Sequence, residues 1–233
     1  MKETGVNVIA INASYGSQGG DQSDPMRDVI AKAGEAGIIF VTSAGNQSSD
    51  NDQIASFPAS YDASNIITVA ASDPDDKLAL FSNYGLNSID LAAPGENIFS
   101  TAIEVAALVT SQDLDFTAVS FELVAQADGQ YLASLETSSV TVVNAVSSYR
   151  YADGTSMAAP HVTGAIAILA AAFPAESVSQ RIDRILEGTD PIETLAGLVS
   201  AGGRLNLNQS LRLYETGDVN LASIYHILLF ENK

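Results

Sequence analysis

Short apolar runs separated by small, turn-prone residues punctuate the first hundred positions. Val6 to Asn12 (VNVIAIN) is the first, and it empties into Ala13-Ser14-Tyr15-Gly16-Ser17. That order predicts a buried strand leading into a loop. Pro25 to Ala36 has helical spacing, with Asp24 placed as N-cap, Pro25 at the first helical position and Gly37 just beyond the end. Ile38 to Thr42 (IIFVT) is a second β-branched run, followed by Ser43-Ala44-Gly45-Asn46, and Ile66 to Ala70 (IITVA) is a third. Strand, helix, strand with continuously apolar strands predicts a parallel sheet covered on both faces. In such sheets ligands gather at the carboxyl ends of the strands, where Ser14 and Asn46 fall.

Ile89 to Pro94 (IDLAAP) adds a short strand and a turn, and then the character changes. Ala118 to Ala125 (AVSFELVA) and Ser139 to Val146 (SVTVVNAV) read as strands, with Asp128-Gly129 as a turn signal between them. An antiparallel insertion over 102–148 is the expectation. Ser156 to Ala172 is Ala- and Gly-rich and apolar almost all round, which predicts a buried helix. Glu176 to Leu186 predicts an amphipathic helix, and the stretch after Tyr214 is an acidic turn with an apolar tail, Ile224 to Phe230.

Composition narrows the partners. Lys plus Arg number 10 against 28 for Asp plus Glu, a formal charge of −18, which repels nucleic acid and anionic membranes. Neither is an expected partner. A solvated acidic shell accounts for the charge, and structural calcium on clustered carboxylates is compatible with it without being required. The absence of cysteine excludes disulfides, thiolate metal sites and a cysteine nucleophile. No apolar run reads as a membrane span, and no signal-peptide core follows Met1-Lys2-Glu3-Thr4.

The candidate chemistry lies at two points. Gly154 precedes Ser156, and the helix of small residues follows, so the Ser156 hydroxyl falls in a first helical turn that favours developing negative charge. A capping residue beside glycine fits the same letters. Asn46 sits in a Gly-Asn loop at a strand end, where a turn residue of left-handed backbone would serve as well.

The flanks separate these readings. Asp153 to Gly164 (DGTSMAAPHVTG) resembles the serine signature of the subtilisin-like (S8) peptidases. Val8 to Ser17 resembles the family's substrate-pairing strand and Val41 to Asn46 (VTSAGN) its oxyanion block. Phe57 to Tyr61 (FPASY), Phe81 to Gly85 (FSNYG), Asp90 to Thr101 (DLAAPGENIFST) and Gly203 to Asn206 follow in the family's order. The resemblance implies a three-layer α/β fold with a mostly parallel sheet. It places catalytic-domain segments at 1–101 and 149–213, flanking the insertion, with a tail at 214–233. It implies that Ser156 is the nucleophile and Asn46 the oxyanion donor, that Ser14-Tyr15-Gly16 pairs with a polypeptide substrate, and that Ser43-Ala44-Gly45 lines the pocket for the side chain before the cut. It also implies a cis bond at Phe57–Pro58, an extracellular or cell-envelope location, and chemistry that requires no cofactor.

A serine hydroxyl needs a base, and the family order is Asp, then His, then Ser. The only histidines are His161, on the nucleophile's own helix, and His226, in the apolar tail. The expectation is therefore the serine half of the catalytic domain, with the Asp and His blocks and the first strands lying upstream and Val6–Asn12 left with an unpaired edge. An inactive pseudoprotease or peptide-binding module is the alternative.

Overall fold

In the computed structural model, residues 7–106, 121–125, 131–135 and 143–214 are described, with side chains given up to 102 and from 148 onward. In chain order the first half holds β1 (Ala10–Ala13), β2 (Ser17–Gln18), α1 (Pro25–Glu35), β3 (Ile39–Ser43), β4 (Ser56–Phe57), β5 (Ile66–Ser72) and β6 (Leu91–Pro94). The second half holds β7 (Ile98–Ala106), β8 (Phe121–Ala125), β9 (Tyr131–Leu135), β10 (Val143–Ala152), α2 (Thr155–Ala172), α3 (Val178–Glu187), β11 (Asp190–Pro191), β12 (Gly203–Arg204) and α4 (Leu207–Arg212). Two compact units result, one of residues 1–98 and 153–233 and one of Phe99–Ala152.

The larger unit is built on a six-stranded sheet in the order β1-β3-β5-β6-β12-β11. Pairing is parallel from β1 through β12, and only β11 runs antiparallel. Isoleucines and valines of β3 and β5 pack on one face against Ala158, Val162, Ile166 and Leu169 of α2. On the other face Ile30 of α1 packs with Phe40 and Tyr61. Burial on both sides explains why these strands read as unbroken apolar runs. The smaller unit is an antiparallel sheet in the order β7-β10-β9-β8.

Most predicted elements return with shifted ends. Asp24 caps α1, its side chain accepting from the Met26 N–H, and Phe57–Pro58 is cis. The first strand is shorter than predicted because β3 offers Ala10 its first partner at Ile39. β1 stands at the edge of the sheet, with Ile11 37% exposed. β9 is an addition to the predicted strands, and β10 begins at Val143 and runs on to Ala152. The Asp128-Gly129 turn lies outside the described residues. One expectation needs correction: α2 is, by length and composition alone, long and apolar enough to cross a membrane. Its packing against β3 and β5 assigns it instead to the core.

Candidate active site

The parallel register brings the ends of β1 and β3 together over the N-terminus of α2. Ser156, half-buried in the first turn of that helix, donates from Oγ to the Ser14 carbonyl at 3.2 Å. The Ser14 hydroxyl returns the contact, donating to the Ser156 carbonyl at 2.8 Å. The second bond has a covalent cause. Pro160, inside α2, has no N–H for the carbonyl four residues back, so the helix leaves Ser156 C=O without its usual donor. Ser14 supplies one from across the sheet.

Asn46 is oriented by the same helix end. Its Oδ1 accepts from the Thr155 N–H and from Thr155 Oγ1, both at 2.9 Å. An N–H can meet only an acceptor, so these bonds fix which way the amide faces. Nδ2 then points away from Thr155 and has no hydrogen-bond partner among the described residues, and neither has the backbone N–H of Ser156. Both nitrogens lie close to Gly154. A Cβ at that glycine would sit 3.5 Å from Asn46 Nδ2 and 3.6 Å from Ser156 N. These are ordinary contact distances, so what calls for glycine is its φ of 152°, which a side chain would oppose. The arrangement therefore places two nitrogens without partners among the described residues close to one another near the nucleophile candidate, at the positive end of an 18-residue helix.

Of the other predicted residues, Ser43 and Ala44 are buried at the end of β3, and the Gly45 N–H donates to Thr155 Oγ1 at 3.2 Å. Tyr15 and Gly16 are exposed just beyond β1. His161 turns its Nδ1 to the Met157 carbonyl at 2.9 Å, within its own helix. His226 lies outside the described residues. Among the described residues no group of three or more acidic or histidine side chains could hold a metal ion.

Sequence reasoning missed what holds the Asn46 loop. Asn83 is fully buried; its Oδ1 accepts from the Gln47 and Ser49 N–H groups at 2.8 and 3.1 Å. Its Nδ2 donates to the Ala44 carbonyl at 3.1 Å and to Asn51 Oδ1 at 2.9 Å, and its own N–H donates to the Gly45 carbonyl. One side chain thus pins the segment on both sides of Asn46. The only signal was the asparagine in FSNYG, which could not say what it touched. Asn83→Ala would leave buried backbone groups unpaired and is expected to cost about 2 kcal/mol. Urea denaturation followed by circular dichroism measures it, and an unchanged midpoint would contradict the assignment.

Comparison with known proteins places the chain in a family. The subtilase (peptidase S8) family model matches residues 4–209. Subtilisin DY of Bacillus licheniformis is 29% identical over 78% of this chain and 49% of its own length. The extracellular protease of Xanthomonas campestris is 30% identical over 82% of this chain and 26% of its own. Fervidolysin from Fervidobacterium pennivorans is 33% identical over 77% and 22%. A solved protease from Pseudoalteromonas arctica superposes with a TM-score of 0.58 at 26% identity, covering 87% of this chain and 50% of that one. The chain belongs to the subtilase family of serine peptidases, and it spans half or less of the length of these relatives.

Proposed function

We propose that this chain is the nucleophile half of a serine endopeptidase that cleaves polypeptides through an acyl-enzyme on Ser156. The carrying observation is that Asn46 Nδ2 and the Ser156 N–H, both without partners among the described residues, lie close together beside Gly154. A peptide laid along Ser14–Gly16 by strand addition would bring its carbonyl carbon to Ser156 Oγ, with Ser43–Gly45 flanking the side chain before the cut. As Oγ attacks, the carbonyl oxygen takes up negative charge and the two donors stabilise it. In the resting site Oγ donates its hydrogen bond to a backbone carbonyl, which cannot serve as a base. His161 lies on the nucleophile's own helix, and among the described residues no hydrogen bond joins it to Ser156. On this reading the base and its orienting carboxylate would be supplied from outside the described residues, by a segment that would also pair with the open edge of β1. Extracellular or cell-envelope residence follows from relatives that are extracellular proteases.

The peptide-binding alternative makes no use of a serine hydroxyl beside two idle donors. Hydrolysis of a quenched fluorogenic peptide separates the two. This chain alone is expected to stay at background, and the chain joined to its upstream-coded segment is expected to turn over, with Ser156→Ala abolishing it. Turnover that survives Ser156→Ala would overturn the reading.

A further inference from the structure

A chain of hydrogen bonds runs from the middle of α2, through β1, back to the carbonyl of Ser156. Thr163 Oγ1 lies 3.1 Å from Asn12 Oδ1, Asn12 Nδ2 lies 2.9 Å from Ser14 Oγ, and Ser14 Oγ lies 2.8 Å from the Ser156 carbonyl. Its direction is set at one end. A carbonyl only accepts, so the Ser14 hydroxyl commits its single proton to Ser156. Ser14 Oγ then accepts from Asn12, which turns Nδ2 toward Ser14 and leaves Oδ1 for the Thr163 proton. The Ala159 carbonyl, 3.2 Å from Thr163 Oγ1, competes for that proton, but it already has the Thr163 N–H as its helical partner. The Ser156 carbonyl has no such partner, because Pro160 stands where its helical donor would be.

We infer that Asn12 and Thr163 are positioning residues for Ser156: by setting the polarity of this relay they keep the Ser14 hydroxyl on the Ser156 carbonyl and hold the first turn of α2 to the end of β1. The inference rests on the proposed role of Ser156 as nucleophile. Neither residue is hydrogen-bonded to Ser156 Oγ, and both act through Ser14. Ser156 carries both the hydroxyl and one of the two N–H groups of the site, so a turn released at its carbonyl would shift the two together. A displacement of about 1 Å can cost up to about two powers of ten in rate. Asn12→Asp reverses the relay. It keeps the shape but only accepts, so it would draw the Ser14 proton to itself and leave the Ser156 carbonyl without a donor. Thr163→Val removes the donor at the far end without adding charge and frees the Asn12 amide to turn. Thr163→Ser keeps the hydroxyl.

Two readouts test it. Ser156-Met157 is the only Ser-Met pair in the chain, so isotopic labelling of serine carbonyl carbons and methionine amide nitrogens marks this one peptide bond in an NMR spectrum. In this chain alone, Asn12→Asp and Thr163→Val are expected to move that carbonyl resonance upfield, as loss of a hydrogen bond does, and Thr163→Ser to leave it in place. In the chain joined to its upstream-coded segment, the first two are expected to lower kcat about tenfold with KM nearly unchanged, and Thr163→Ser to turn over like wild type. An unmoved carbonyl in both Asn12→Asp and Thr163→Val would overturn the relay. A moved carbonyl with full kcat would overturn the positioning role while leaving the proposed function standing. Loss of kcat in Asn12→Asp alone would assign the effect to its added charge and overturn the positioning role as well. A joined wild-type protein that does not turn over would overturn the proposed function, and the carbonyl readout does not depend on that outcome.

Discussion

Asn46→Ala, introduced into the chain joined to its upstream-coded segment, is expected to lower kcat by roughly two to three powers of ten with KM nearly unchanged. That range is the measured cost of removing an oxyanion-hole donor in subtilisin, a member of the same family. The split between kcat and KM follows from where the donor acts. In the proposed mechanism Asn46 Nδ2, which has no partner among the described residues, would gain one only when negative charge develops on the carbonyl oxygen. The substitution also removes the acceptor for the Thr155 N–H and hydroxyl, a capping role at the start of α2. Loss of that cap costs about 1 kcal/mol of stability, and a melting curve separates it from the catalytic loss. A variant whose KM rises while kcat holds would place Asn46 in ground-state binding instead.

Asp90→Asn is expected to stabilise the fold at pH 8 and to leave it unchanged at pH 3. Asp90 opens β6 from the wall of a cavity of about 440 Å³, where Oδ2 accepts from the Thr68 N–H at 2.6 Å. Burial pushes its carboxyl pKa up to about 6, against the opposing pull of that hydrogen bond. Between an ordinary carboxyl pKa of about 3.9 and that value, the native chain holds a proton that the unfolded chain has released. Stability therefore falls as pH rises through this window and levels off above it, by about 2–3 kcal/mol in all. Asparagine keeps an acceptor for Thr68 and cannot ionise, so the penalty disappears. Melting temperatures of the two proteins should diverge between pH 4 and about 6 and run parallel above. A less stable Asp90→Asn protein at pH 8 would show instead that the ionised carboxylate has a favourable partner in that cavity.

The parts of the fold that were legible are those whose physics is local. Asp24-Pro25 announced the start of α1, and the β-branched runs announced β3 and β5, because capping and burial leave their marks in consecutive residues. The length of β1 was not legible, since it depends on where β3 begins after its turn. Neither was β9: Tyr131–Leu135 includes alanine and serine, small residues that carry little strand signal. At the site, Ser156 and Asn46 stood out through their motif flanks. The supports around them did not, because Ser14 meets Ser156 across 142 positions and Asn83 meets Gln47 across 36. Pro160 could be seen in the helix, but not which hydroxyl would take over the bond it forfeits.

If Ser156 is the nucleophile and its base lies outside this chain, labelling by a fluorophosphonate must depend on the segment that supplies that base. Peptide mapping by mass spectrometry after exposure to the reagent tests both halves at once. A general base is worth about two to four powers of ten in such a reaction. The chain alone is expected to react slowly, whereas the chain joined to its upstream-coded segment reacts rapidly, with one equivalent of label on Ser156. Rapid stoichiometric labelling of Ser156 in the chain alone, or label carried on another residue of the joined protein, would contradict this assignment of nucleophile and base.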